Sequence, residues 1–370
     1  MFSPFDIACM QRALELARRG EGRVEPNPMV GAVIASAAGD VVGEGWHDRF
    51  AGPHAEVTAL AAAGGAARGG TLYVTLEPCC HQGKTPPCTS AIVAAGIRRV
   101  MAAASDPFPA VAGGGIVALR RAGLEVETGL CGLEAIRLTA PFRGLVTRGR
   151  PWVIAKWATS LDGLMAAPPG EDRWISSPES LALVHRLRGR MDAILVGIGT
   201  ALADDPLLTA RPVGERQAVR VVLDSAARLP LAARLAQTAR ECPVLVAVGP
   251  DADAGRVAAL EAAGCEVWRS DRADPGDRLE ALLAELGRRR LTNLLVEGGA
   301  QVFGTLFARH LVDEVWAFTA PKRFGPSAAL LPSLPAPPPF AAEEVLHPGG
   351  DLLVRGLARP DVLRASADPR

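Results

Sequence analysis

Two stretches hold the side chains best suited to chemistry: "PHAEVTALAAAG" at 53–64 and "LEPCCHQGKTPPC" at 76–88. His54 and Glu56 stand two apart behind Pro53, at the predicted start of a helix. A carboxylate there points into a site beside an imidazole without itself being a ligand. Cys79 follows Pro78 at the end of a predicted strand, where a new helical turn is expected to set the thiolate at a positive dipole end. Cys88 follows Pro86 and Pro87, which stiffen the return of the loop. One His and two Cys supply three ligands of the kind that bind Zn2+, leaving the fourth tetrahedral position to water, as a catalytic rather than structural zinc requires. Such a water has its pKa lowered to about 7 and becomes a nucleophile. Taken singly, each residue has a plainer reading, as a helix cap or an incidental thiol; it is the combination with Glu56 and the flanking prolines that points to metal chemistry.

Zinc deaminases of bases pair H-x-E with P-C-x-x-C. His54-Ala55-Glu56 matches the first half, whereas Pro78-Cys79 is followed by Cys80, and the next Cys is Cys88, eight residues lying between it and Cys79. The stretches "EPNPMVGAVI", "GEGWH", "PHAEVTAL", "YVTLEPCCHQGKTPPC" and "SDPFPAVAGGGI" resemble the riboflavin-pathway bifunctional deaminase-reductase family, which has this longer spacing. The resemblance implies that His54, Cys79 and Cys88 hold Zn2+, that Glu56 moves the proton, and that Asn27 and His81 contact the pyrimidine. Cys80 is left without a role. Lys84 is a candidate contact for a substrate phosphate. His47 is open between packing and lining the site, and His185, His310 and His347 carry no signal.

A second set of residues lies beyond residue 150. No strand is followed by a G-x-G-x-x-G fingerprint. "GIGTALADDP" at 197–206 has only part of one, and Glu297-Gly298-Gly299 leads from the strand "NLLV" into a predicted helix whose free amides can meet a phosphate. "IAKWATSLDG", "GEDRWISS", "HRLRGRMDAILVGIGTALADDPLLTAR" and "LLVEGGAQV" resemble the reductase half of the same family, which is dihydrofolate-reductase-like in fold and uses NADPH. By that match Ala158, Trp174, Thr200, Asp204, Ser225 and Gly299 line the NADPH site. Lys156, Asp172, Arg188, Leu208, Arg211 and Glu297 face the substrate. Arg188 and Arg211 offer planar donor forks to a sugar phosphate, and Glu297 can accept from ribose hydroxyls. The only lysines are Lys84, Lys156 and Lys322; in a chain this biased to Arg, retention of Lys156 favours a role beside the reacting sugar. Asp172 and Leu181 depart from the family pattern, which leaves open a C-terminal half that binds a pyrimidine phosphate without reducing it.

Several elements must position these side chains. Apolar spacing predicts a helix over 7–19, strands at "PMVGAVIAS" and "VVGEGWH", an Ala-rich helix from 55, and then alternating strands and helices to "LEVETG" at 124–129. "RGRP" at 148–151 reads as a connector, after which an α/β pattern restarts: the strand "WVIAKWATSLDG", a helix capped by Ser177 with Pro178 in its first turn, and strands at "AILVGIG", "VRVVLDS", "PVLVAVG", "EVW", "NLLVEGG" and "EVWAFTA". "LPSLPAPPPF" at 331–340 is expected to be irregular. The expected fold class is therefore α/β throughout: a cytidine-deaminase-like three-layer domain over 1–147, then a dihydrofolate-reductase-like domain over 151–370.

With 370 residues, 49% apolar and 22% charged, the chain can bury two cores. A net charge of +0 gives no steering toward nucleic acid or an anionic membrane. The N-terminus lacks a signal-peptide pattern and no stretch reaches the roughly 18 apolar residues of a membrane span. A cytoplasmic enzyme is expected, a homo-oligomer acting on a small pyrimidine ribosyl phosphate. Seven cysteines are too few and scattered for a disulfide scaffold. A zinc fold without catalysis would instead need Cys80 or His81 as a fourth ligand.

Overall fold

The structure is a computed structural model and describes residues 2–81, 86–109, 111–168, 170–171, 174–325 and 332–365. The chain separates into two compact units. One runs to Gly149 and includes the segment from Asp361; the other is Arg150–Pro360. Grouping that last segment with the first unit departs from the sequence expectation, which gave it to the second.

The first unit contains α1 (Pro4–Arg18), β1 (Gly31–Ala35), β2 (Val41–Trp46), α2 (Ala55–Ala63), β3 (Thr71–Val74), α3 (Cys88–Ala94), β4 (Arg99–Ala102), α4 (Gly114–Arg121), β5 (Glu125–Thr128), α5 (Gly132–Leu138) and α6 (Ala140–Arg148). Its sheet runs β2-β1-β3-β4-β5, antiparallel across β1 and parallel from β3 onward. All five residues of β1 are buried, so both faces of this strand are covered. The glycines show how. A Cβ on Gly31 would stand 2.0 Å from the Ala13 carbonyl of α1, whereas a Cβ on Gly45 would stand 2.4 Å from the Ala55 carbonyl of α2. Gly45 pairs with Ala32 and Gly31 with Trp46, so α1 and α2 lie on opposite faces, making three layers. The α2 face buries Ala32, Ile34, Ala59, Leu72, Ile92 and Leu119 in one core. The small residues of α2 let it approach closely enough to aim its first turn at the end of β3.

The second unit contains β6 (Trp152–Thr159), α7 (Pro178–Arg188), β7 (Ala193–Gly197), α8 (Ile198–Asp204), β8 (Val219–Leu223), α9 (Arg234–Gln237), β9 (Val244–Val248), α10 (Ala254–Ala263), β10 (Glu266–Arg269), α11 (Pro275–Arg288), β11 (Asn293–Val296), α12 (Ala300–Ala308), β12 (Glu314–Thr319), β13 (Ala341–Leu346) and β14 (Leu352–Leu357). The short α13 (Pro360–Ala365) follows. The sheet runs β10-β9-β8-β7-β11-β6-β12-β14-β13, parallel from β10 to β12 and antiparallel at the last two strands. Ser177 caps α7, its hydroxyl accepting from the Ser180 amide at 3.1 Å with Pro178 in the first turn, as predicted. Leu279, Leu282, Leu283 and Leu286 of α11 and Phe303 and Phe307 of α12 cover one face over Val153, Ala155 and Leu195.

The sequence patterns missed α5, α6, α8, α9, α10 and the β13–β14 hairpin. All of β13 is exposed, so it has no buried face to write an alternation into the sequence. The segment 332–340 holds no regular element beyond one bridge from Ser333 to Leu164.

Gly31→Ala should cost about 2–4 kcal/mol, because the carbonyl it meets is helix backbone and cannot step aside. Gly65→Ala, where a Cβ meets nothing within 4 Å, should change stability by less than about 1 kcal/mol. Thermal unfolding of the two variants checks this; equal melting temperatures would contradict the close packing of α1 on β1.

Candidate functional site

His54 is the N-cap of α2, still extended at φ −72° and ψ 158°, and Glu56 lies in the first helical turn. The change from extended to helical backbone between them turns both side chains inward. Cys88 is the first residue of α3, after Pro87 at the cap position. Cys79 lies in the loop beyond β3, not on a helical turn, which corrects the sequence expectation. The helix that serves it opens nine residues later: the Cys88 amide donates to the Cys79 sulfur at 3.3 Å. That loop is anchored by Glu77, whose carboxylate accepts from the amides of Asp106, Gly113, Gly115 and Ile116 at 2.9–3.2 Å.

His54 Nδ1 lies 3.2 Å from Cys88 Sγ and 3.7 Å from Cys79 Sγ, and the three donor atoms all fall within 4.8 Å of one another. Zinc with Zn–N near 2.0 Å and Zn–S near 2.3 Å sets tetrahedral N···S edges of about 3.6 Å. The observed pair brackets that value, so the donor set fits Zn2+. Among the described residues no fourth His, Cys, Asp or Glu joins the three. Cys80 faces elsewhere: its sulfur lies 2.9 Å from where a Gly114 Cβ would stand. The Cys79 thiol is drawn down to about 4, first by the hydrogen bond from Cys88 and then by His54 and the Cys88 amide. Cys88 is pushed up as the donor of that pair. Glu56 is 3% exposed; burial raises its pKa, and it lies in hydrogen-bond contact with Cys88.

His47 settles as a positioning residue. Its Nδ1 meets the Pro53 carbonyl at 2.9 Å, which can only accept, so Nδ1 carries the proton and Nε2 accepts from the Asn27 amide at 3.1 Å. Burial lowers its pKa, which keeps it neutral for that task. Asn27 is thereby held by His47, whose ring stands 5.7 Å from that of His54. His81 is exposed, with its ring 6.2 Å from Phe108. Lys84 and Asp172 lie outside the described residues.

The second unit encloses a cleft of about 1310 Å³. Roughly 300–1,000 Å³ serves one small ligand, so this cleft has room for a cofactor and a substrate together. Ala158, Trp174, Thr200, Asp204, Ser225 and Gly299 all line it, as do Lys156, Arg188, Leu208, Arg211 and Glu297. Leu181 lines it as well. They come from the carboxyl ends of β6, β7, β8 and β11 and the segments that follow, the place where open parallel sheets bind ligands. Gly298 and Gly299 take φ values of 154° and 95° and release the chain from β11 into α12. A side chain at Gly298 would press on the Thr200 hydroxyl at 3.2 Å. Lys322 Nζ donates to the Trp174 carbonyl at 2.7 Å and ties down that residue's backbone.

Arg188, which lines the cleft, has its guanidinium engaged by protein groups. Its Nε and Nη2 engage both oxygens of Glu297 at 2.5 and 2.7 Å, and its Nη1 donates to the Thr209 carbonyl at 3.3 Å. Burial would raise the Glu297 pKa, but Arg188 and then Lys156 outweigh it and hold the carboxyl below the usual range. Burial, with Arg188 adding to it, lowers the Lys156 pKa, while Glu297 opposes. Lys156, Arg188 and Glu297 thus share one side of the cleft, the arginine and the glutamate paired. His185, which carried no signal in the sequence, accepts the Arg211 amide at Nδ1 at 3.2 Å and so places Arg211 at the cleft. Neither it nor Glu77 is legible in a local pattern.

A sequence profile described as the cytidine and deoxycytidylate deaminase zinc-binding region matches residues 4–104, and one described as the RibD C-terminal domain matches 151–342. The chain is 41% identical over 326 residues to the riboflavin biosynthesis protein RibD of Aquifex aeolicus, covering 88% of this chain and 89% of that one. It is 38% identical over 374 residues to its namesake in Escherichia coli, covering 93% and 96%. Among solved structures it is similar to Acinetobacter baumannii RibD, with a TM-score of 0.83 and 35% identity over 95% of this chain and 98% of that one. It is also similar to a diaminohydroxyphosphoribosylaminopyrimidine deaminase/5-amino-6-(5-phosphoribosylamino)uracil reductase from Thermotoga maritima, with a TM-score of 0.81, 36% identity and the same two shares.

After reconstitution the protein should hold one zinc ion per chain, and Cys88→Ser should lose it while Cys80→Ser keeps it. Metal released on denaturation measures both. Retention in Cys88→Ser would remove that residue from the ligand set, and loss in Cys80→Ser would mean a closed, structural site.

Proposed function

The chain belongs to the RibD family of riboflavin biosynthesis proteins, and we propose from that premise which of its residues carry each of its two reactions. The protein is a bifunctional deaminase and reductase that uses Zn2+ and NADPH. It removes the 2-amino group of 2,5-diamino-6-(5-phosphoribosylamino)pyrimidin-4-one by hydrolysis, then reduces the ribosyl group to a ribityl chain. The division of labour falls between residues 1–147 and 151–370, deamination in the first and reduction in the second.

The observation that carries the first assignment is the cluster of His54, Cys79 and Cys88 with the buried Glu56 against it. Zinc held by these three residues would supply an acidified water. Glu56, raised by burial, is suited to take up a proton within the site and give it to the departing amine. Asn27, fixed by His47, holds the ring; His81 stands at the exposed side as a second contact.

In the second unit NADPH supplies the hydride. Thr200, Asp204, Ser225, Ala158, Trp174 and the Gly299 turn are its proposed supports, the first amides of α12 meeting its phosphates. Glu297, locked by Arg188, presents a carboxylate to the ribose hydroxyls. Lys156 stands beside it; its side chain is suited to hold or release a proton at the sugar oxygen as the ring opens. Arg211, held by His185, is left to meet the sugar phosphate. Asp172 and Leu208 complete the proposed substrate contacts. A cytoplasmic homo-oligomer without nucleic-acid or membrane partners accords with a neutral chain acting on small soluble substrates; among the described residues no helix is long and apolar enough to cross a membrane.

With the diaminopyrimidine substrate, ammonia should appear with or without NADPH, and NADPH should be consumed in step when present. Glu56→Gln should lower ammonia release at least about 100-fold with zinc retained; undiminished release would favour a structural metal. Lys156→Met should leave ammonia release intact and abolish NADPH oxidation. Ammonia without NADPH oxidation in the unaltered protein would mean a second unit that binds without reducing.

A further inference from the structure

Arg188 and Arg211 both line the cleft of the second unit, but the protein treats their guanidinium groups differently. Arg188 commits all three of its nitrogens, two to Glu297 and one to the Thr209 carbonyl. Among the described residues no carboxylate pairs with Arg211. The side chain that meets it is His185, three residues before Arg188 on α7.

The segment that carries Arg211 is pinned on both sides of it. Before it, Leu208 is buried and the Thr209 carbonyl accepts from Arg188. After it, the Arg216 amide donates to the Gly189 carbonyl at 2.8 Å. Gly214 lies so close to the end of α7 that a Cβ on it would stand 2.2 Å from the Gly189 Cα. Between these anchors the Arg211 amide donates to His185 Nδ1 at 3.2 Å, and Arg211 Nη2 lies 3.3 Å from Nε2 of the same ring.

An amide N–H and a guanidinium can only donate, and a neutral imidazole has one acceptor nitrogen. Burial, then the charges of Arg188 and Arg211, lower the His185 pKa against Glu297 and the Thr209 carbonyl, which keeps the ring neutral. One acceptor therefore faces two donors. The amide belongs to the pinned backbone and cannot turn away, whereas the guanidinium rides on a flexible stem. Nδ1 takes the amide and Nε2 carries the proton, which meets the guanidinium as donor against donor. The Arg211 fork is thus held at the cleft with its donors unsatisfied, the condition in which a phosphate gains most from it.

We propose that His185 is a specificity-determining positioning residue: by giving its one acceptor nitrogen to the Arg211 backbone amide, it leaves the Arg211 guanidinium for the sugar phosphate and sets the preference of the reductase site for the phosphorylated substrate over its dephosphorylated counterpart. The inference rests on the reading of Arg211 as the phosphate contact.

The test is steady-state NADPH oxidation by the whole protein, on the deaminated ribosyl phosphate and on the same compound without its phosphate. His185→Asn keeps an acceptor within reach of where Nδ1 stands, and His185→Gln carries its acceptor out to where Nε2 stands. KM for the phosphate-bearing substrate should stay within about twofold in His185→Asn and rise about tenfold in His185→Gln, with kcat within about twofold in both. Neither should change KM for the compound without phosphate, and His185→Gln combined with Arg211→Gln should be no worse than Arg211→Gln alone. A residue that only filled space would give the reverse order, since Gln is nearer to His in size. That reverse order, an equal rise on both substrates, or losses that multiply in the double variant would overturn the proposal and leave the reductase reading standing. Arg211→Gln without effect on KM for the phosphate-bearing substrate would overturn it as well, by removing its premise. No NADPH oxidation by the unaltered protein would sink the reductase reading itself, and this inference with it.

Discussion

A strand buried on both faces tolerates no unpaired charge along its length. This constraint places the chemistry of both units where strands stop. All five residues of β1, all five of β7 and all four of β11 are buried. Glu297 follows directly on the last residue of β11, Thr200 lies just beyond β7, and Cys79 lies in the loop after β3. Charged side chains buried within strands are exceptions, and those at Lys156 and Arg220 have what the constraint demands. Lys156 lies within β6, where the Glu297 charge opposes the cost of its burial. Arg220, buried within β8, spends its guanidinium on the carbonyls of Leu207, Thr238 and Cys242 and on the Thr238 hydroxyl.

Groups placed at strand ends must then be held there, because loops alone do not fix a side chain. The two units solve this with opposite charges. In the first, the Glu77 carboxylate gathers amides from the 106–116 segment and so pins the loop that carries Cys79. Gly115 makes room for it, since a Cβ there would stand 2.0 Å from the Pro78 carbonyl. In the second, the Arg188 fork grips Glu297 and reaches the carbonyl of Thr209, joining α7, the end of β11 and the loop that carries Leu208 and Arg211. Breaking a buried pair of this kind typically costs about 3–5 kcal/mol, because the remaining charge is stranded.

The zinc residues were legible because their signals are local. His54 and Glu56 are two apart, and the prolines bracketing Cys79 and Cys88 stand next to them. The helix after Cys88 was expected from its own pattern, but the helical turn expected at Cys79 does not form, since nothing short-range says which of two loop ends will turn helical. The cleft residues were legible only through resemblance to a family, being drawn from separate strands over more than a hundred positions. Even then the pairing of Arg188 with Glu297 was not legible, because a guanidinium takes a phosphate or a carboxylate equally.

The sequence by itself determined the donor types, their short-range spacing, the α/β alternation and the two-part organisation. These follow from side-chain chemistry and from periodicities set by neighbours in the chain. Only the tertiary structure decided that His47 serves Asn27, that His185 serves Arg211 and that Arg188 closes on Glu297. Those relations depend on strand order, and β7 lies beside β11 and β11 beside β6 because of how the whole sheet packs. No local pattern encodes which distant residue a side chain will meet.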